Sequence, residues 1–202
     1  MKLYFSPGAC SLSPHIVLLE SGLPFTTESV DLRKKLTAGG ADFTAINPKG
    51  YVPALETDDG VLLTEGPAIV QYVADLVPEK KLVPPAGSLE RYQVASLLNF
   101  IGTELHKNYS PLFRPDVGDE VKAYARANLT QRYVQVERLL DGQDYLAGSA
   151  FGVADAYLFT ISNWAAHLQF DLSAWPRLQA FQQRVAARPA VQQALRAEGL
   201  LT

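Results

Sequence analysis

Apolar residues open the chain as a short run, Leu3-Tyr4-Phe5, and return beyond a turn as Ile16-Val17-Leu18-Leu19. The pattern predicts a buried strand at 3–5, turn chemistry at Ser6-Pro7-Gly8, and a helix over 11–21. Gly22 stands in the stop position of that helix, with Pro24 just beyond. Residues 25–31 (FTTESVD) read as a second strand on their β-branched residues and Phe25. From 34 to 47 the pattern is ambiguous: Thr37-Ala38-Gly39-Gly40 interrupts any helix, and a short one fits 41–46. Asn47-Pro48-Lys49-Gly50 is a turn, and Pro53 biases Val52 towards an extended backbone. Strands at 54–57 and 61–64 are joined by Asp58-Asp59-Gly60 as a hairpin loop. Glu65 then opens a helix with Ile69, Val70, Val73 and Leu76 at helical spacing, which ends at Pro78.

Residues 80–88 (KKLVPPAGS) read as a linker, and no strand signal follows. A helix over 89–109 places Tyr92, Ala95, Leu98, Ile101 and Leu105 on one face. A charged helix spans 120–140. Residues 154–168 are apolar nearly all round, interrupted mainly by Asp155, Asn163 and His167, which predicts the centre of a bundle. Helices at 175–187 and 191–197 complete the chain. The fold class is therefore α/β plus all-α: an α/β layer over 1–80 and an all-helical domain over 87–202.

Composition narrows the function classes. With 202 residues, 48% hydrophobic and 19% charged, the chain is an ordinary globular protein. Net charge of −3 offers no basic field for nucleic acid or anionic lipid, and Lys34-Lys35 and Lys80-Lys81 read as solvated surface. A single cysteine excludes an intrachain disulfide, and three histidines without ligand-like spacing argue against a structural zinc. No uncharged apolar stretch approaches the roughly 18 residues of a membrane span. The opening residues read as too short for a signal peptide, so the expected location is cytoplasmic.

Candidate chemistry centres on Cys10, where a strand hands over to a helix N-terminus. Unpaired N–H groups and the helix dipole there favour thiolate over thiol; a small buried hydrophobe is the alternative. Cys10-Ser11-Leu12-Ser13 also has the form of a single-thiol C-x-x-S redox site. On the helix over 89–109, Asn99, Thr103 and His106 are spaced to share one partly polar face.

The opening S-P-G-A-C-S, N-P-K-G-Y-V-P-A-L, L-L-T-E-G-P-A-I and E-L-H-K, with V-A-D-A-Y-L in the central helix, together resemble bacterial beta-class glutathione transferases along essentially the whole chain. The resemblance implies an N-terminal thioredoxin-like domain that binds glutathione, an all-helical C-terminal domain that lines the electrophile site, and a homodimer. Glutathione is then a co-substrate, with no prosthetic group and no metal. Pro53 is implied to be the cis-proline before the hairpin, turning the Val52 N–H and C=O towards an extended peptide. The helix N-terminus at Glu65 and Gly66 suits the γ-glutamyl carboxylate, and Glu65 the α-amino group; a helix-terminal acid is the other role for Glu65, compatible with the first. Lys35 matches the position that pairs with the glycyl carboxylate, the alternative being a solvated lysine. His106 and Lys107 are implied to approach the sulfur near Cys10. Asn99, Thr103, Glu104 and Leu105 join the glutathione site, with Asn99, Thr103 and Glu104 reaching it across the dimer interface. The catalytic set is Cys10, Ser11, His106 and Lys107. Tyr109, Phe113, Tyr157 and Trp164 are candidates for the electrophile pocket.

The chain also departs from the family pattern. Phe5 stands where relatives commonly carry Tyr, and strand alternation points Tyr4 to the opposite face, which excludes a tyrosine mechanism. At Gly152-Val153-Ala154-Asp155 the side-chain half of a capping box is lost, while Asp155 can still reach the Gly152 N–H. The expected activity is conjugation of glutathione to hydrophobic electrophiles. The alternatives are thiol–disulfide exchange or reductive dehalogenation through a Cys10 mixed disulfide, and, last, a non-catalytic binder of hydrophobic ligands.

Overall fold

The computed structural model describes residues 1–201 and divides into two units, Met1–Val83 joined by the segment from Arg188 onward, and Pro84–Ala187. The first unit is built on a five-stranded sheet in the order β3-β2-β1-β4-β5. β1 (Lys2–Phe5) pairs in parallel with β2 (Thr26–Asp31) and antiparallel with β4 (Ala54–Glu56). β5 (Leu62–Thr64) closes the hairpin with β4, and the short β3 (Leu36–Thr37) extends the other edge. α1 (Leu12–Ser21) makes the crossover between the parallel strands and ends at Gly22, whose left-handed φ of 74° lets its N–H close on the Leu19 carbonyl. α2 (Phe43–Ile46) is capped by Asp42, and α3 (Gly66–Asp75) follows the hairpin. This is the thioredoxin-like arrangement the resemblance implies.

Strand alternation sorts the core of this unit. Tyr4 packs with Val30, Phe43, Val52 and Ala54 on one face, and its hydroxyl donates to Glu56 at 3.1 Å. Phe5 turns the other way, its ring against His15 of α1. Tyr4 therefore faces away from α1, as the alternation requires.

The second unit is helical. α4 (Leu89–Phe100), a π-helical stretch (Ile101–His106) and α5 (Lys107–Tyr109) run on without leaving helical backbone angles. Their buried positions are Val94, Leu98, Ile101, Leu105 and Tyr109, whereas Tyr92 is 66% exposed. Tyr92 thus falls off the face predicted for it, because the inward row runs through Val94, two residues round the helix. α6 (Asp119–Leu139) follows, then α7 (Val153–Ser162), whose ten residues are all buried. The buried centre predicted over 154–168 narrows to this segment; within α8 (Trp164–His167) only Ala165 is buried. α9 (Pro176–Ala186) completes the unit. Burial pushes the phenols of Tyr109 and Tyr133, bonded to each other at 2.8 Å, above their ordinary range.

α10 (Pro189–Ala197) belongs with the first unit rather than the helical one expected to carry it. Its Val191 and Ala194 are buried, it packs on α1, and Arg188 grips Glu20 of α1 through two bonds of 2.6 and 3.0 Å. Helical periodicity reveals the element but not which neighbour buries it. Among the described residues no helix is long and apolar enough to cross a membrane.

Candidate functional site

The turn that carries Cys10 is held from several sides. Gly8, at a φ of 70°, donates its N–H to Glu198 at 2.9 Å, and Ala9 N–H closes on the Ser6 carbonyl. Ser11 is wholly buried; its hydroxyl oxygen accepts the Ser6 N–H at 3.1 Å and donates to the Ser6 carbonyl at 3.2 Å. Ser11 thus holds the turn beside Cys10. Cys10 is half-buried and precedes the Ser11 cap of α1. Its thiol donates to the Val52 carbonyl at 3.3 Å. Only a protonated sulfur makes that bond, so here a carbonyl opposes the thiolate that the helix terminus favours.

The partner loop supplies the remaining groups of this unit. The Val52–Pro53 peptide is cis. A side chain on Gly66 would meet Pro53 only at ordinary contact distance, 3.7 Å, so the helix start and the proline face each other with room for a methyl group. Glu65 caps α3 with φ 70°, ψ 113°, a conformation costly for a non-glycine residue. Pro67 carries no N–H, and Ala68 and Ile69 donate back to the Glu65 carbonyl, so an anion at this terminus falls to the Gly66 N–H. Lys49 bonds Glu65 at 2.9 Å and the Thr64 hydroxyl at 3.1 Å. Lys35 donates to the Gly50 carbonyl at 2.9 Å and is docked on the loop rather than solvated. The structure thereby links Cys10 to Val52, Pro53 to Gly66, Lys35 to the loop over 47–53, and Lys49 of that loop to Thr64 and Glu65. Sequence reasoning missed Lys49: sixteen residues separate it from Glu65 and no periodicity joins them.

In the helical unit the predicted residues separate by burial. Asn99, Thr103 and Lys107 are exposed, and the Thr103 hydroxyl bonds back to the Asn99 carbonyl at 3.0 Å. Glu104 pairs with Arg132 at 2.5 Å. The Leu105 side chain is fully buried, which leaves its backbone as the part of the residue that could meet a ligand. His106 is half-buried; its Nδ1 lies 2.7 Å from the Tyr157 hydroxyl, and its ring meets Trp164 edge-on at 4.9 Å. π-Helical turns recur at functional positions, and this one ends at His106. Tyr109, a candidate pocket residue, is instead fully buried against Tyr133, whereas Phe113 is 44% exposed and packs on Trp164. Among the described residues no three His, Cys, Asp or Glu side chains gather as a metal site.

Asp155 is wholly buried and accepts from Gly152 N–H and Leu146 N–H, both at 2.8 Å. The first bond is the one the sequence predicts. The second ties the preceding loop to the same carboxylate.

Comparison with known proteins agrees with this geometry. Residues 8–76 match the glutathione S-transferase N-terminal domain and 100–189 the C-terminal domain. Glutathione S-transferase GstA of Escherichia coli O157:H7 is 52% identical over 99% of this chain and 100% of its own. The solved structure of a sphingomonad glutathione S-transferase complexed with glutathione superposes with a TM-score of 0.96 at 48% identity, covering 99% of this chain and 100% of that one. The beta-class enzyme of Sphingomonas chungbukensis gives 0.96 at 47%, covering all of both chains. The chain belongs to the glutathione S-transferase family and groups with its bacterial beta class.

Proposed function

We propose that the protein is a glutathione transferase in which the first unit holds glutathione and the helical unit supplies the surface for a hydrophobic electrophile. The observation that carries this reading is the joined set in the first unit. Cys10 bonds to Val52, a cis proline faces the α3 terminus, and Glu65 stands at that terminus. Such a set suits an extended thiol peptide: Val52 offers backbone pairing, Gly66 N–H suits a carboxylate, Glu65 an ammonium, and Lys35 a second carboxylate. The glutathione bound in the sphingomonad relative belongs to that protein and supports the same ligand here.

In the reaction the glutathione thiol gives up its proton, sulfur attacks an electrophilic carbon, and the leaving group departs with the bonding pair. His106 of the helical unit, with Lys107 beside it, acts on that sulfur as hydrogen-bond donor or proton acceptor. Asn99, Thr103 and Glu104 contact glutathione in a homodimer. A cytoplasmic location belongs to the same reading.

The test is glutathione conjugation to an activated aromatic halide by wild type and Cys10→Ala side by side. Turnover in both assigns activation to the helix terminus, Ser11 and His106. Turnover lost with glutathione still bound places Cys10 in the mechanism. Saturable glutathione binding without turnover on any electrophile or disulfide would overturn the enzyme reading. The half-buried thiol in C-x-x-S form favours thiol–disulfide exchange as a second activity, which disulfide reduction lost in Cys10→Ala would establish.

A further inference from the structure

We infer that Tyr157 is a positioning residue that fixes the tautomer and orientation of the His106 ring; its relevance to turnover rests on the role proposed above for His106. The two side chains meet at 2.7 Å, hydroxyl to Nδ1. Of this pair the phenol is the better donor and the neutral imidazole nitrogen the better acceptor, so Tyr157 donates and Nδ1 stays bare. The ring proton is thereby held on Nε2, because the bond one ring nitrogen makes decides the state of the other. His106 then presents a hydrogen-bond donor, the form suited to a developing thiolate.

The surroundings make Tyr157 a fixed reference point. It is 3% exposed in the middle of α7, whose start is pinned by the buried Asp155 carboxylate. Its ring and that of Trp164 both meet the imidazole edge-on, with centroids 6.0 and 4.9 Å away. His106 itself sits at the end of the π-helical stretch, where the backbone departs from regular α-helix. At Gly102 a side chain would come within 3.6 Å of the Tyr157 hydroxyl, so that helix face also closes around the same oxygen.

The experiment is nitrogen-15 NMR of histidine-labelled protein, tractable because the chain has three histidines, with the His106 signals assigned by their loss in His106→Ala. Wild type is expected to show a bare Nδ1 and a protonated Nε2. Tyr157→Phe is expected to show mixed tautomers and a kcat about 3- to 10-fold lower with KM for glutathione unchanged, part of the 10²–10⁴ a positioned acid–base group supplies. Tyr133→Phe removes a buried phenol elsewhere in the same unit; it is expected to lower Tm yet leave the His106 signals in place. A protonated Nδ1 in wild type, or identical His106 signals in wild type and Tyr157→Phe, overturns the inference. Full conjugation in His106→Ala overturns the His106 role instead, while the spectra still decide what Tyr157 does to the ring.

Discussion

One oxygen of the Glu198 carboxylate lies 2.8 Å from His15 Nδ1, and both side chains are almost wholly buried. The other oxygen accepts the Gly8 N–H. A residue near the end of the chain therefore braces both α1 and the turn leading to Cys10. Replacing Glu198 with Ala takes the carboxylate partner from the buried His15 Nδ1, at about 1–3 kcal/mol, and the carboxylate acceptor from the half-buried Gly8 N–H. We predict that Glu198→Ala lowers stability by about 2–4 kcal/mol, and Glu198→Gln by less, since an amide oxygen can still accept from Gly8. Urea midpoints for the three proteins check this; equal midpoints would show the brace to be dispensable.

Asp155 carries more than the cap expected of it. Two N–H groups from different segments converge on one buried carboxylate, and bonds to charged groups are worth roughly 1.5–3 kcal/mol each. Asp155→Ala is predicted to cost about 3–6 kcal/mol, above the roughly 0.5–2 of a lost N-cap alone. Thermal unfolding measures the difference, and a loss within the cap range would mean the Leu146 bond contributes little.

Glu65 makes the opposite case. Its pair with Lys49 is half-exposed on both sides, and such pairs contribute about 0–1 kcal/mol. Glu65→Gln is therefore expected to leave the unfolding midpoint nearly unchanged. It removes the charge proposed to meet the glutathione ammonium, so KM for glutathione should rise about tenfold, the equivalent of 1.4 kcal/mol. An unchanged KM would take Glu65 out of the binding site.

What the sequence made legible follows the range of each interaction. Gly22, Asp58-Asp59-Gly60 and the Asp155–Gly152 bond are local, and the structure carries all three. Cys10 was readable as a thiol at a helix start, but what it faces was not, because Val52 lies 42 residues away. The same holds for Glu198, 183 residues from His15, and for Lys49 beside Glu65. His106 was readable from its motif; its bond to Tyr157 crosses 51 residues, and no local signature announces the π-helical stretch that ends at it. Leu105 continues the buried row through Leu98 and Ile101, which helical spacing makes legible in the sequence.

The buried phenols give a pH prediction. Desolvation raises both Tyr109 and Tyr133 above the ordinary value near 10 of an unfolded chain. Above about pH 10 the unfolded state therefore releases phenolic protons that the folded state retains, and stability falls as pH rises. Below that value both states hold the protons and the pair contributes no slope. Denaturation midpoints between pH 8 and 11.5 should stay flat with respect to these groups and then decline. Tyr133→Phe should make the alkaline decline shallower, having one raised phenol fewer. A decline equally steep in the variant would assign the alkaline loss to other groups.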